Sequence, residues 1–247
     1  MKLRLFIVPA LLLLLSAGIG GCVKSGYVGA AGDLYAGATV TDAELVSLSK
    51  QMRAVGDKQN TVATGKNKYA ARLARLTQRF QNEDGLSLNF KAYITPEVNA
   101  NATADGSIRV YSGLMDMMTD NELLFVIGHE IGHVKDGDSL DKIRMAYLSS
   151  AAVKAGAASV SGPVALSATQ LGELLHVVLN AQFSQKQEYD ADQYGYNLLK
   201  KYNVDRQAAV SALQKLASLG SSGGITSSHP DSADRAKRIA DKIAENG

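Results

Sequence analysis

Apolar side chains recur along most of this chain at helical spacing. Between Thr41 and Val55 the positions Leu45, Leu48 and Met52 share one face, and Thr41 with Glu44 forms a capping box. Lys68 to Phe80 repeats the pattern: Tyr69, Leu73, Leu76 and Phe80 are apolar, while Arg72, Arg75 and Arg79 read as a solvated face. The period then changes. Leu88, Phe90, Ala92 and Ile94 alternate, which predicts a strand over Leu86 to Ile94; Ser107 to Tyr111 predicts a second after the turn Ala104-Asp105-Gly106. Helical spacing returns at Thr119 to Lys135, where Thr119 and Glu122 make another capping box and Gly137 ends the helix. Gln170 to Lys201 predicts one long helix, with Leu171, Leu174, Leu175, Val178 and Leu179 apolar. Arg206 to Leu219 and Ser232 to Ala244 predict two more, with a flexible Gly/Ser loop, Gly220 to Ser228, between them. The expected fold is mainly α with a small β-sheet (α+β).

Residues 146–167 are dominated by Ala, Ser, Gly and Val. Lys154 lies inside that stretch, Pro163 breaks it and large aliphatics are few, so a close-packed helical pair or a mobile flap is expected rather than a membrane span. The N-terminus reads differently. Lys2 and Arg4 precede an apolar run from Leu5 to Leu15, and small residues follow (Ser16, Ala17, Gly18, Gly20, Gly21), the layout of a secretory signal peptide. Cys22, the only cysteine, stands directly after them. Ile19-Gly20-Gly21-Cys22 resembles the bacterial lipoprotein signal, in which the cysteine becomes the lipidated first residue. Val23 after it, in place of Asp, then implies the outer membrane, with the protein facing the periplasm. The expected organisation is a signal peptide over 1–21, a Gly/Ala/Val-rich lipidated tether over 22–40 and one domain over 41–247, which no Pro-rich linker divides.

Charge narrows the function classes. Lys and Arg total 26 against 24 Asp and Glu, and removal of residues 1–21 takes away Lys2 and Arg4 and leaves the two signs in balance. No block of like charge provides a footprint for nucleic acid, so no nucleic-acid partner is expected. Trp is absent, which weakens readings that depend on aromatic stacking. Without a second cysteine the domain has no disulfide, and membrane association would come from the acyl chains rather than from net charge.

The chemistry concentrates in His129-Glu130-Ile131-Gly132-His133, an H-E-x-x-H sequence inside the capped helix. A spacing of four puts both imidazoles on one face, where they can bind one ion, and Glu130 is offset from both. Zinc suits imidazole and carboxylate ligands with one position left open. A metzincin would continue with Gly at 136 and His at 139; Asp136 and Ser139 exclude that class. A downstream acid is the alternative. Glu188 and Asp192 in Gln187-Glu188-Tyr189-Asp190-Ala191-Asp192 are four apart and share a helix face. They read either as a solvated face or as a ligand, Glu188, with Asp192 accepting a histidine N–H. His176, on the run Leu174 to Val178, reads as a packed or surface histidine.

His129–His133 followed by Glu188-x-x-Ala191-Asp192 resembles the zinc metalloendopeptidase family of the CAAX prenyl protease and HtpX type. Asn99-Ala100, then Ile108-Arg109-Val110-Tyr111-Ser112-Gly113-Leu114, resembles that family's strand and the Gly-Leu before its zinc helix; His229-Pro230 with Arg235 resembles its C-terminal His-Pro segment. Two positions depart from the pattern: Asn101, where the family usually has a larger apolar residue, and Asp138, close to where a further His often follows the zinc helix.

The resemblance implies a zincin-like (gluzincin) domain holding one zinc ion through His129, His133 and Glu188. Zinc so held polarises a scissile carbonyl and lowers the pKa of water to about 7; Glu130 takes the water's proton and passes it to the leaving amine. Ile108, Arg109, Val110 and Tyr111 are expected on an edge strand that pairs with an extended substrate. His229 either stabilises the oxyanion or takes the fourth zinc position and keeps the enzyme latent, with Arg235 anchoring its loop through an acid such as Asp192. The expected substrates are unfolded or outer-membrane proteins, and outer-membrane assembly factors are candidate partners. A metalloprotease-fold chaperone that cleaves little is the competing reading; the intact Glu130 favours the enzyme. One site with an open position argues against metal storage.

Overall fold

A computed structural model of the chain describes residues 40–150, 166–220 and 223–245. The expected signal peptide (1–21), Cys22, the tether apart from Val40, and residues 151–165 of the Ala/Ser/Gly/Val stretch lie outside the described residues. Within them, α1 (Asp42–Gln59) and α2 (Lys68–Thr77) precede a three-stranded sheet of β1 (Asn89–Tyr93), β2 (Ala100–Ala102) and β3 (Ser107–Tyr111). A short helix α3 (Ser112–Met117) leads into α4 (Asp120–Lys135), and α5 (Asp138–Ser149) follows at once. Next come α6 (Ala168–Asn180), α7 (Gln185–Lys201), α8 (Gln207–Ala217), the single turn α9 (Ile225–Ser228) and α10 (Ser232–Glu245). No helix among the described residues is long and apolar enough to cross a membrane.

Local chemistry sets the helix starts. Thr41/Glu44 begins α1 and Thr119/Glu122 begins α4, each as a complete capping box. The same device corrects the single long helix expected over Gln170 to Lys201. Ser167/Gln170 caps α6, Ser184/Gln187 caps α7, and the chain turns between Asn180 and Gln185. A new cap satisfies the orphan N–H groups of a fresh helix start, so the break leaves few backbone donors unpaired. At the break, Phe183 is buried, and its backbone N–H donates to Ser228 O at 3.2 Å.

The sheet order is β1-β3-β2, with β1 parallel and β2 antiparallel to β3. The edge strand expected at residues 107–111 is therefore in the centre: Ile108, Arg109 and Val110 pair with both β1 and β2, and Tyr111 pairs with Tyr93 while its N–H donates to Asn99 O at 3.0 Å. Continuous burial of β3 is the consequence. The outer side of β1 is partly taken by Val62, which bridges to Tyr93. Among the described residues no strand covers the outer side of β2, which runs beside α4.

Two apolar clusters hold these elements. Ile108 and Val110 of β3 pack with Leu123, Ile127 and Ile131 of α4, Leu198 of α7 and Leu213 of α8. Leu45, Leu48 and Met52 of α1 pack instead with Ile143 and Tyr147 of α5 and Leu171 and Leu175 of α6. Helices α4 and α7 come closest where side chains vanish: a Cβ built on Gly128 would stand 2.9 Å from the Gly195 Cα, and one on Gly132 3.0 Å from the Ala191 Cα. That approach brings the histidine face of α4 against the acidic face of α7.

Candidate metal centre

His129 and His133 stand one turn apart on α4 and are fully buried, as are Glu130 and, on α7, Glu188 and Asp192. His229 and Arg235 come from the C-terminal segment and are buried in the same place. Donor atoms of His129, His133, Glu188 and His229 all lie within 4.8 Å of one another. Those separations are 3.1 Å from His129 Nε2 to His133 Nε2, 3.1 Å from His129 Nε2 to His229 Nδ1, and 2.9 Å from His229 Nδ1 to Glu188 Oε1. Glu188 oxygens lie 3.6 Å from His129 Nε2 and 3.5 Å from His133 Nε2. Four donors about 2.05 Å from a tetrahedral zinc would be separated by about 3.3 Å.

The histidine tautomers suit a cation. His129 Nδ1 lies 3.0 Å from Asp192 Oδ1, and His133 Nδ1 lies 2.8 Å from Asp138 Oδ2. A carboxylate only accepts, so each Nδ1 carries the proton, and in the neutral ring each Nε2 presents a lone pair. Two lone pairs then face each other in a buried site with no hydrogen between them. A divalent cation with nitrogen affinity resolves that conflict. Gly137, at φ 82°, makes the tight turn that returns Asp138 to His133.

Charges around the cluster are matched. The Arg235 guanidinium donates from Nε to Asp192 Oδ2 at 2.8 Å and from Nη2 to Asp192 Oδ1 at 2.6 Å, and its Nη1 pairs with Glu188 Oε2. Burial would raise the Asp192 carboxyl, but the Arg235 charge and hydrogen bonds hold it below the ordinary value. Glu188 behaves alike: burial opposes its charge, and His229, His129 and His133 more than offset that. Burial pushes the His129 imidazole down, and takes His229 down to about 4. His133 goes the other way, because hydrogen bonds to Asp138 and Glu188 outweigh its burial.

Glu130 differs from Glu188 and Asp192 in the direction of its pKa shift. Its Oε1 has no hydrogen-bond partner, its nearest cationic candidate is His229 Nε2 at 3.5 Å, and burial raises its pKa. A carboxylate so raised is a stronger proton acceptor than an ordinary one.

Sequence reasoning reached His129, Glu130, His133, Glu188, Asp192, His229 and Arg235, and the structure brings all seven together. It missed Phe183, whose ring stacks on His133 with centroids 3.6 Å apart, and Lys142, whose ammonium lies 3.1 Å from the Phe183 centroid. Burial pushes Lys142 down to about 8. No local pattern marks either residue; the positions of α5 and the α6–α7 break create both. His176 lies exposed, bonded to Asn180.

Residues 67–243 match Peptidase family M48. The chain is 41% identical over 213 residues to the metalloprotease YcaL of Escherichia coli strain K12, covering 85% of this chain and 84% of that protein. To the metalloprotease LoiP of the same organism it is 38% identical over 251 residues, covering 100% of this chain and 99% of LoiP. A protease HtpX homolog of Campylobacter curvus is 29% identical over 194 residues, 70% of this chain and 66% of the homolog.

Proposed function

This chain belongs to peptidase family M48 and is a metalloprotease, and we propose that it is a zinc-dependent endopeptidase of the bacterial envelope, held latent by His229. The observation that carries the reading is the convergence of His129 Nε2, His133 Nε2 and Glu188, with Glu130, whose Oε1 accepts no hydrogen bond, on the same helix. Zinc held there by His129, His133 and Glu188 supplies Lewis-acid activation of water and of the scissile carbonyl.

The remaining work belongs to the chain's own residues. Asp192 and Asp138 keep the two imidazoles in the tautomer that presents Nε2 inward. Glu130 accepts a proton from the attacking water and returns it to the leaving amine, so one carboxylate serves both halves of the hydrolysis. An extended substrate pairs with the free side of β2, alongside α4, which would read backbone conformation more than side-chain identity. Such selection suits unfolded or misassembled envelope proteins.

His229 supports latency through its position. Nδ1 joins the donor cluster while Nε2 faces Glu130, so one ring sits where a water would be and against the group that would deprotonate it. Lipidation at Cys22 would place the enzyme on the outer membrane, facing the periplasm, within reach of outer-membrane assembly partners. Titrating the chelated full chain with zinc tests the metal reading. One ion per chain is expected in the wild type, with at least a hundredfold weaker binding in Glu188→Ala; equal binding in both would contradict it. Incorporation of labelled palmitate into the wild type, but not Cys22→Ser, tests the anchor.

A further inference from the structure

Helix α1 lies wholly before residue 67, where the family match starts, yet its polar side chains reach the sheet. Three of its polar residues, Ser49, Arg53 and Asp57, follow at intervals of four and form one stripe. Each takes hold of a different part of the sheet. Asp57 accepts from Arg109 of β3 at 2.8 and 3.0 Å and from Lys91 and Tyr93 of β1 at 2.7 Å each. Ser49 donates to Asp105, in the β2–β3 turn, at 3.1 Å. Arg53, only 2% exposed, donates from Nη2 to Asn101 Oδ1 at 2.7 Å and from Nε to Thr103 Oγ1 at 3.3 Å.

Asn101 is the middle residue of β2, and β2 has three residues and one partner strand. So short an edge has few ladder hydrogen bonds to fix its twist and tilt. A charge-assisted bond to the side chain of its central residue, from a guanidinium itself fixed in a packed helix, supplies what the ladder lacks. Asn101 in turn donates from Nδ2 to Tyr111 Oη at 3.3 Å, so the contact ties β2 to β3 and α1 at once.

We propose that Arg53 is a positioning residue for substrate: acting through Asn101, it holds the free side of β2 in the geometry that pairs with an extended peptide. This rests on the β2 pairing proposed above, and it makes α1 part of the substrate site although the family match excludes it.

The test uses the full chain carrying Glu130→Gln, so that peptide is bound and not cut. The probes are an extended peptide and the same peptide N-methylated at alternate backbone amides, which cannot donate to a strand edge. With Arg53 intact, the methylated peptide is expected to bind at least tenfold more weakly. Adding Arg53→Met should shrink that ratio to below threefold, chiefly by weakening the unmodified peptide. Replacing the polar pair by an apolar one, Arg53→Met with Asn101→Leu, should restore it. Thr103→Val, which removes the longer of the two contacts, serves where Arg53→Met does not fold, and should lower the ratio in the same direction. A lower melting temperature with an unchanged ratio in these variants would assign Arg53 to stability alone and overturn the inference. No discrimination between the peptides with Arg53 intact would instead overturn the β2 pairing itself.

Discussion

His229 Nδ1 lies 2.9 Å from Glu188 Oε1, and the same ring presents Nε2 at 3.5 Å from Glu130 Oε1. One side chain thus spans the donor cluster and Glu130. If it occupies the fourth position, removing it opens the site. His229→Ala is expected to raise kcat/KM on an unfolded protein about tenfold and to weaken zinc binding. Loss of activity in that variant, with zinc retained, would assign His229 to oxyanion stabilisation instead.

Asp192 stands between Arg235 and His129 and serves both. Asp192→Asn keeps the shape but presents an amide, which no longer fixes the Nδ1–H tautomer; zinc affinity should fall about 10- to 100-fold. Arg235→Met leaves Asp192 and Glu188 without their shared cation in a buried site. That change is expected to cost about 3–5 kcal/mol in urea unfolding. Unchanged zinc affinity in Asp192→Asn would contradict the role given to that carboxylate.

Helices α4 and α7 approach through glycine, and the approach sets the ligand distances. A Cβ at Gly195 would stand 3.0 Å from the Phe125 carbonyl oxygen and 3.1 Å from the His129 nitrogen, both backbone atoms that cannot turn aside. Gly195→Ala should destabilise by about 1–3 kcal/mol and weaken zinc binding in parallel, because relief requires moving α7, and Glu188 with it. Full zinc affinity with reduced stability would show that the metal site does not depend on this contact.

Glu122 caps α4 and is gripped from α8 by Lys215 at 2.7 Å and Ser211 at 2.8 Å. Burial would raise its pKa, but Lys215, the Thr119 N–H and the Ser211 hydroxyl hold it down to about 2. A depressed carboxyl contributes stability above its ordinary value of 4.5 and loses it as pH falls toward about 2. Glu122→Gln should therefore be less stable than wild type by about 1–2 kcal/mol at pH 7, and the gap should close between pH 4.5 and 2. A gap independent of pH would refute the charge-based account.

Legibility in the sequence followed how local each signal was. The capping box of α4 and the two-histidine spacing fit within one helix, so the core of the site could be read directly. Glu188 and Asp192 were visible as a shared face, but only the chain's path to His129 separates a ligand from a solvated acid. The α6–α7 break escaped because Leu171 to Leu179 keeps helical period to its edge and the Ser184 cap looks like any serine. β2 escaped because three residues show no alternation. The central place of β3 depended on pairing order, which no local pattern encodes. Arg53 and Asp57 occupy a polar stripe of a helix, and only the sheet laid beneath it turns that stripe inward.

Hydrolysis that requires both Glu130 and the metal is the central claim. The measurement is cleavage of an unfolded protein by the full chain, beside Glu130→Gln and beside a chelated sample restored with zinc, with His229→Ala run in parallel to release latency. Cleavage by wild type or by His229→Ala, abolished by Glu130→Gln and by chelation and recovered with zinc, is the predicted result. Cleavage that survives Glu130→Gln, or zinc-loaded wild type and His229→Ala that both cut nothing, would contradict it and leave a holding protein in its place.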